Sequence, residues 1–295
     1  MRKTLLSTLT AAILWSFSTT GWSQTTLEIA TAEEYAEFAA RVNEGERSLS
    51  AVLTADIDLT AYQGEDFPML GANDGDNIDH AFHGILDGAG HKVTYNFTGW
   101  RHWTGLIGAL GTNGVVKNLE LYGSQTTEWL CIGTLVGYLN GGTISHCFSH
   151  VTLNLTATGL CNCGGLVGSI GWGGLIEYSG WDGNIVSETA TDCAGLVGWA
   201  GFGVTINNCL CAGTIPTGGN ACTISRNMPS AAISNCCFLN EYQDTGNGCI
   251  QITEEDLTSG RACWLLNGGG LTGAGWFQTL NEDKMPTPNG THNII

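Results

Sequence analysis

Positive charge is what this chain has least of. Ten Lys and Arg stand against 27 Asp and Glu, the net charge is −17, and charged residues make up 13% of the chain, about half the usual ~25%. Such an acidic balance repels phosphate backbones, so nucleic acid is not an expected partner. Long apolar runs are also missing. The longest, Leu5 to Phe17, is interrupted by Ser7 and Thr8 and falls short of the ~20 residues of a membrane-crossing helix. Residues 100–240 contain no amphipathic run of ten or more residues, which excludes helical repeats, and no dense leucine pattern. The 43 glycines follow no three-residue period, which excludes collagen. There is no His-Glu-x-x-His, and Cys161-Asn162-Cys163 and Cys209-Leu210-Cys211 are spaced too closely for a zinc site. No metal and no cofactor is therefore expected.

What is present begins with an export signal. Arg2 and Lys3 form a positive start, Leu5 to Phe17 an apolar stretch, and Gly21 and Ser23 a small-residue cleavage region. Removing residues 1–23 takes away two positive and no negative charges, so −17 becomes −19. No cysteine follows the apolar stretch, so a lipid anchor is not expected. The protein is expected to be secreted or on the cell surface.

A short phrase then recurs: Gly105-Leu106-Ile107-Gly108, Thr134-Leu135-Val136-Gly137, Gly165-Leu166-Val167-Gly168 and Gly195-Leu196-Val197-Gly198. The closing glycines are 29, 31 and 30 residues apart. A second phrase recurs five times: Val116-Lys117-Asn118-Leu119, Ile144-Ser145-His146-Cys147, Ile176-Glu177-Tyr178-Ser179, Ile206-Asn207-Asn208-Cys209 and Ile233-Ser234-Asn235-Cys236. Both are too short for helices, rich in β-branched residues and bounded by glycine, so they read as short strands with bends or close backbone approaches at glycine. A period near 30 gives one coil of two or three strands, stacked about 4.8 Å from the next. A propeller blade needs 40 or more residues. The expected fold is all-β, a parallel β-helix.

These phrases resemble the GLUG repeats of bacterial secreted and surface proteins. The flanks carry the resemblance further: Ala55-Asp56-Ile57-Asp58-Leu59 with Phe82-His83-Gly84-Ile85-Leu86-Asp87-Gly88-Ala89-Gly90-His91 looks like the lead-in segment, and Val116 to Leu121 like the strand after the first repeat. The resemblance covers roughly residues 28–240 and implies a right-handed β-helix of the pectin-lyase-like class. It departs at Thr134, in place of the first glycine, and at Ala221-Cys222-Thr223-Ile224-Ser225, where the last coil is either irregular or a cap. Some metallopeptidases that attack immunoglobulins carry such repeats, but their catalytic domain has no counterpart here.

Thr31-Ala32-Glu33-Glu34 is a capping box, and Tyr35, Phe38, Ala39 and Val42 follow at helical spacing. This predicts a helix over about 31–43 that covers the open end of the solenoid. Thr253-Glu254-Glu255-Asp256 predicts a second helix to about Asn267, Trp276-Phe277-Gln278 a strand, Pro288-Asn289-Gly290 a turn, and Asn293-Ile294-Ile295 the start of another strand. Stopping there is what a fragment or truncated product would do. The expected organisation is 1–23 signal, 24–80 cap and lead-in strands, 81–240 repeats and 241–295 a C-terminal segment.

Twelve cysteines in an exported chain suggest disulfides. The repeat suggests otherwise. Cys147, Cys209 and Cys236 share one position with Leu119, which reads as an inward stacking site for thiols. Serine there would cost about 1–3 kcal/mol unless its hydroxyl finds a partner.

No catalytic constellation is expected. Asp76, Asp79, His80, His83, Asp87 and His91 cluster, but among turn glycines, where a structural or solvated role fits. Aromatics are more suggestive. Tyr138 and Trp199 directly follow their phrase glycines, Trp172 and Phe202 lie four residues after theirs, and Trp100, Trp103, Trp129 and Trp181 add to the set, Trp181 being the further candidate for the face. They either stack on sugars along one face or fill coil corners. The reading is a non-enzymatic, adhesin-like surface protein for glycans or surface proteins. The alternative is a carbohydrate-active enzyme, which needs carboxylates converging in a cleft around Asp76–His91 or Asp182–Asp192.

Overall fold

A computed structural model describes residues 26–72, 78–99, 101–128, 131–156, 162–189, 192–217, 219–227, 232–243, 248–270, 275–288 and 290. The signal region, Asp76, Trp100, Trp129, Cys161, Asn289 of the expected turn and the expected strand at 293–295 lie outside these residues.

The chain winds as a right-handed parallel β-helix of about five turns. Each turn contributes to three sheets. One four-stranded sheet stacks Trp103–Thr104, Cys131–Gly133, Asn162–Gly164 and Cys193–Ala194, and a second stacks Ile107–Leu110, Val136–Leu139, Val167–Ile170 and Val197–Trp199. The remaining strands form one long sheet that starts at Thr26–Ile29 and ends at Cys249–Gln251. All of these pairings are parallel and put equivalent phrases opposite one another, as in Ile107–Val136–Val167–Val197 and Val116–Ile144–Ile176–Ile206. The decayed phrase still stacks, through Ala194–Cys222 and Val197–Ser225 bridges.

Inside, the repeats become columns. Leu106, Leu135, Leu166, Leu196 and Ile224 are fully buried in successive coils. The phrase glycines have a steric cause. The closing ones are not in the left-handed region. Instead, the two short sheets touch backbone to backbone. A Cβ at Gly164 would stand 2.5 Å from the Gly198 nitrogen, and one at Gly198 would stand 2.6 Å from the Cys163 nitrogen. Thr134 fits the first-glycine position because its hydroxyl donates to the Gly165 carbonyl at 2.6 Å.

The second phrase hides a bend. Its third residue is left-handed in every coil: Asn118, His146, Tyr178, Asn208 and Asn235 have φ between 46° and 54°. Asparagine tolerates this conformation best among residues with a side chain. The next residue, Cys147, Ser179, Cys209 or Cys236, points inward and donates back to the carbonyl two residues earlier, at 3.4, 2.8, 3.1 and 3.4 Å. The inward position thus takes a small donor in four of five coils, serine once among them, while Leu119 fills it in the other. The burial cost expected for serine is offset by this bond.

The N-terminal end is closed by α1, Ala32–Asn43, with the expected capping box at Thr31 and Glu34. Its buried face is Tyr35, Phe38, Ala39 and Val42, and Phe38 meets Phe82 edge-on at 5.9 Å. The C-terminal part departs from expectation in two ways. The second helix is split into α2, Glu254–Thr258, and α3, Arg261–Leu266, because Gly260 turns left-handed at φ 88°. Trp276–Gln278 is not a strand; Phe277 and Thr287 form an isolated antiparallel bridge. Trp276 is buried and donates its indole N–H to the Asn208 carbonyl at 2.7 Å. Together with Ile252, Leu257 and Leu266 it packs on Phe148, Leu210 and Cys237, which face outward from the long sheet. The segment is therefore a lateral cover with its own small core. Among the described residues no helix is long and apolar enough to cross a membrane.

Candidate binding site

Four of the five aromatic residues singled out in the sequence reach the surface or its edge. The fifth does not. Trp181 is fully buried, with its indole N–H donating to the Val151 carbonyl at 3.0 Å. It fills the space left by Gly165 and Gly213. It joins the candidate rings without a repeat spacing of its own, and the structure turns it inward.

Trp172 and Phe202 occupy the same corner in adjacent coils, after the second short sheet. They are 71% and 60% exposed and stack at 5.4 Å with 27° between planes. One face of Trp172 is thus taken by Phe202. On the other side the preceding coil offers Asn140 and Gly141 at this corner, with no ring to cover Trp172. Asn140 accepts the Trp172 N–H at 3.1 Å, and Thr112 donates to the Asn140 carbonyl at 3.4 Å. One coil earlier His83 is bonded to the Thr112 carbonyl at 2.7 Å. The corner therefore runs from short polar residues into a pair of exposed rings.

Tyr138 joins this corner from the sheet. Its hydroxyl and the Asn140 side chain both crowd the position where Gly171 has no Cβ. Its ring stacks on Trp103 at 4.2 Å. Trp199 lies further along the same outward column, in register with Ser169, which pairs with Tyr138. Trp199 is 38% exposed, and the Arg226 guanidinium sits 5.4 Å from its ring centre. Arg226 itself is buried and pairs with Asp192 at 2.8 Å. It stands at the closing-glycine position of the decayed phrase, in register after Ser225. Sequence reasoning missed Asn140, Thr112 and the Arg226–Asp192 lock. An arginine where the repeat demands glycine was the signal for the last of these.

The carboxylates and histidines are drawn into local pairs. Asp87 faces Lys117 at 3.1 Å, accepts from Asn118 at 2.9 Å and from the Ala89 N–H at 2.9 Å. Burial pushes its carboxyl up, but these partners outweigh it and hold it below the ordinary value. His91 meets Asp56 at 3.2 Å and His150 meets Asp182 at 2.8 Å. Asp79 and His80 sit in a short 3-10 turn. Burial pushes the Cys147 and Cys211 thiols up to about 12, which keeps them protonated and poor nucleophiles. Among the described residues no group of three or more His, Cys, Asp or Glu is arranged to hold a metal ion.

Comparison with known proteins bears on the fold. A crystal structure from Bacteroides ovatus, described as "a putative immunoglobulin A1 protease", superposes with a TM-score of 0.64 over 90% of this chain and 93% of that one, at 16% identity. The two share a fold. Halomucin of Haloquadratum walsbyi is 36% identical over 133 residues, 42% of this chain. The chain spans about 1% of that relative's length. No known family profile matches the chain.

Proposed function

We propose that this is an exported, non-enzymatic β-helix protein whose GLUG-type repeats display a glycan-binding corner. The supporting observation is the Trp172–Phe202 pair. Two large rings, stacked on each other and mostly in water, form an exposed apolar patch of the kind that marks a binding surface. An indole face bordered by Asn140, Thr112 and the Tyr138 hydroxyl offers what a sugar ring needs, an apolar platform with polar groups at its rim. Trp199 extends the surface along the solenoid.

The enzyme alternative needs converging carboxylates. Asp182 is bound to His150, and Asp192 to Arg226. Those residues are spent on holding coils together. The resemblance to the Bacteroides ovatus protein is one of fold at 16% identity and carries no catalytic residue across.

The test is a glycan array with wild type and the Trp172→Ala/Phe202→Ala double variant. Binding to specific glycans that the double variant loses supports the reading. Array binding that survives in the double variant removes the corner from it, and no binding by wild type leaves a scaffold role.

A further inference from the structure

The outward face of the long sheet carries a separate cavity of about 380 Å³, lying between Lys92, Glu120, Phe148 and His150 on the sheet and residues 282–287 of the C-terminal segment. That size is within the range of small-ligand sites. Lys92, Glu120 and Phe148 are in-register neighbours on three successive strands, so they form a row across the floor. The next row holds Tyr122 and His150, stacked at 4.5 Å.

This floor is fixed before any ligand arrives. Tyr122 donates to one Glu120 oxygen at 3.0 Å. Burial and the Glu120 carboxylate both push the Tyr122 hydroxyl up, so it stays a donor. His150 is anchored by Asp182 at 2.8 Å, and the Lys92 ammonium lies 5.3 Å from the Tyr122 ring centre. Glu120 and Lys92 both line the cavity. Glu282, Asp283 and Lys284 offer two negative charges and one positive from the other wall, and Met285 and Phe148 add apolar surface.

We propose that this cavity binds one ring of an uncharged saccharide, which extends the glycan reading to a second site. Its lining holds donors and acceptors side by side, Lys92 and Lys284 with Glu120 and Glu282, and a sugar's hydroxyls both give and accept. The charges nearly cancel. An anionic sugar would meet Glu120, Glu282 and Asp283, and a cationic one would meet Lys92 and Lys284. Beyond the Tyr122 row, the outward positions Asn96, Ser124 and Thr152 are uncharged and in register, with Ser124 donating to Asn96 at 3.1 Å. A longer neutral chain leaving the cavity would meet no opposing charge there.

The experiment is saturation-transfer NMR on the full chain with glucose, galactose, mannose and N-acetylglucosamine, and with glucuronate and glucosamine as charged controls. A neutral sugar should receive saturation. Glu120→Gln and Lys284→Ala should each weaken binding at the cavity roughly tenfold, as expected when a charged hydrogen-bonding group is lost, and a signal should persist in Trp172→Ala, which removes only the corner. Lys284 is exposed, so its variant keeps the test open if Glu120→Gln folds poorly. The proposal is overturned if no neutral sugar binds, if only a charged control binds, or if both variants bind like wild type. A signal lost in Trp172→Ala but kept in the other two would sink the cavity and leave the corner standing.

Discussion

The two sides of each coil are held by different physics. On the side of the short sheets, the backbone chains approach so closely that glycine closes the phrase in four successive coils, until Arg226 replaces it. On the side of the long sheet, a left-handed residue turns the chain, and in four of five coils a small donor beneath it reaches back to a carbonyl. The first is a steric rule, visible as a recurring letter. The second is a hydrogen-bonding rule, met by cysteine or serine alike. A steric rule should fail abruptly and a hydrogen-bonding rule by degrees.

Gly168→Val tests the steric side and should have the largest effect. Its Cβ would stand 2.5 Å from the Ile132 nitrogen, and backbone in the preceding coil cannot step aside as a side chain could. Destabilisation above about 4 kcal/mol is expected, at the far end of what single substitutions do. Chemical denaturation measures it. A loss below about 1 kcal/mol would show that the sheets can separate and that the close approach is not what demands glycine.

Arg226→Ala comes next, because it breaks the rule at the one place where the closing glycine is replaced. It leaves Asp192 buried without its guanidinium, for a cost of about 3 kcal/mol. Arg226→Leu with Asp192→Asn should recover much of that loss. If the double variant is as damaged as the single one, the pair is not the source of the cost.

How much of this was legible follows the same division. The β-helix, its period and the α1 capping box could be read because glycine, leucine and the Thr31–Glu34 box have narrow physical meanings. The left-handed column could not, since it hosts Asn118, His146 and Tyr178 alike, and only asparagine advertises that conformation. Trp181 was misplaced because it joined the set as an aromatic alone, with no repeat position to report its strand phase. The corner was half legible. Trp172 and Phe202 were named from the repeat, but Asn140 and Thr112 are ordinary polar residues until stacking brings them beside the rings. The lateral cover was hidden because Gly260 splits what the residue pattern reads as one helix.

Cys209 probes the hydrogen-bonding side. Cys209→Ser keeps a donor for the Asn207 carbonyl and copies Ser179, so it should cost less than about 1 kcal/mol. Cys209→Val fills the space but removes one of the two donors to that carbonyl, which keeps the Tyr178 N–H at 3.3 Å, for about 0.5–1.5 kcal/mol. The order matters more than the sizes. Valine milder than serine would mean that the column is a hydrophobic stack and that the recurring bond contributes little.

The smallest stability effect is expected where the functional effect is greatest. Trp172→Ala removes a ring that is 71% exposed, whose contact is the facing ring of Phe202. Surface substitutions away from caps and buried networks usually stay within about 0.5 kcal/mol, and loss of the ring stack adds about 0.5–1.5 kcal/mol at most. The melting curve should barely move, and glycan binding at the corner should disappear. These two readouts separate the alternatives the sequence left open. A ring that only covers a coil corner would, when removed, loosen the Asn140–Trp172 turn and lower the melting temperature without changing any binding. A ring kept for recognition would do the reverse, because nothing in the solenoid leans on it except its partner in the next coil.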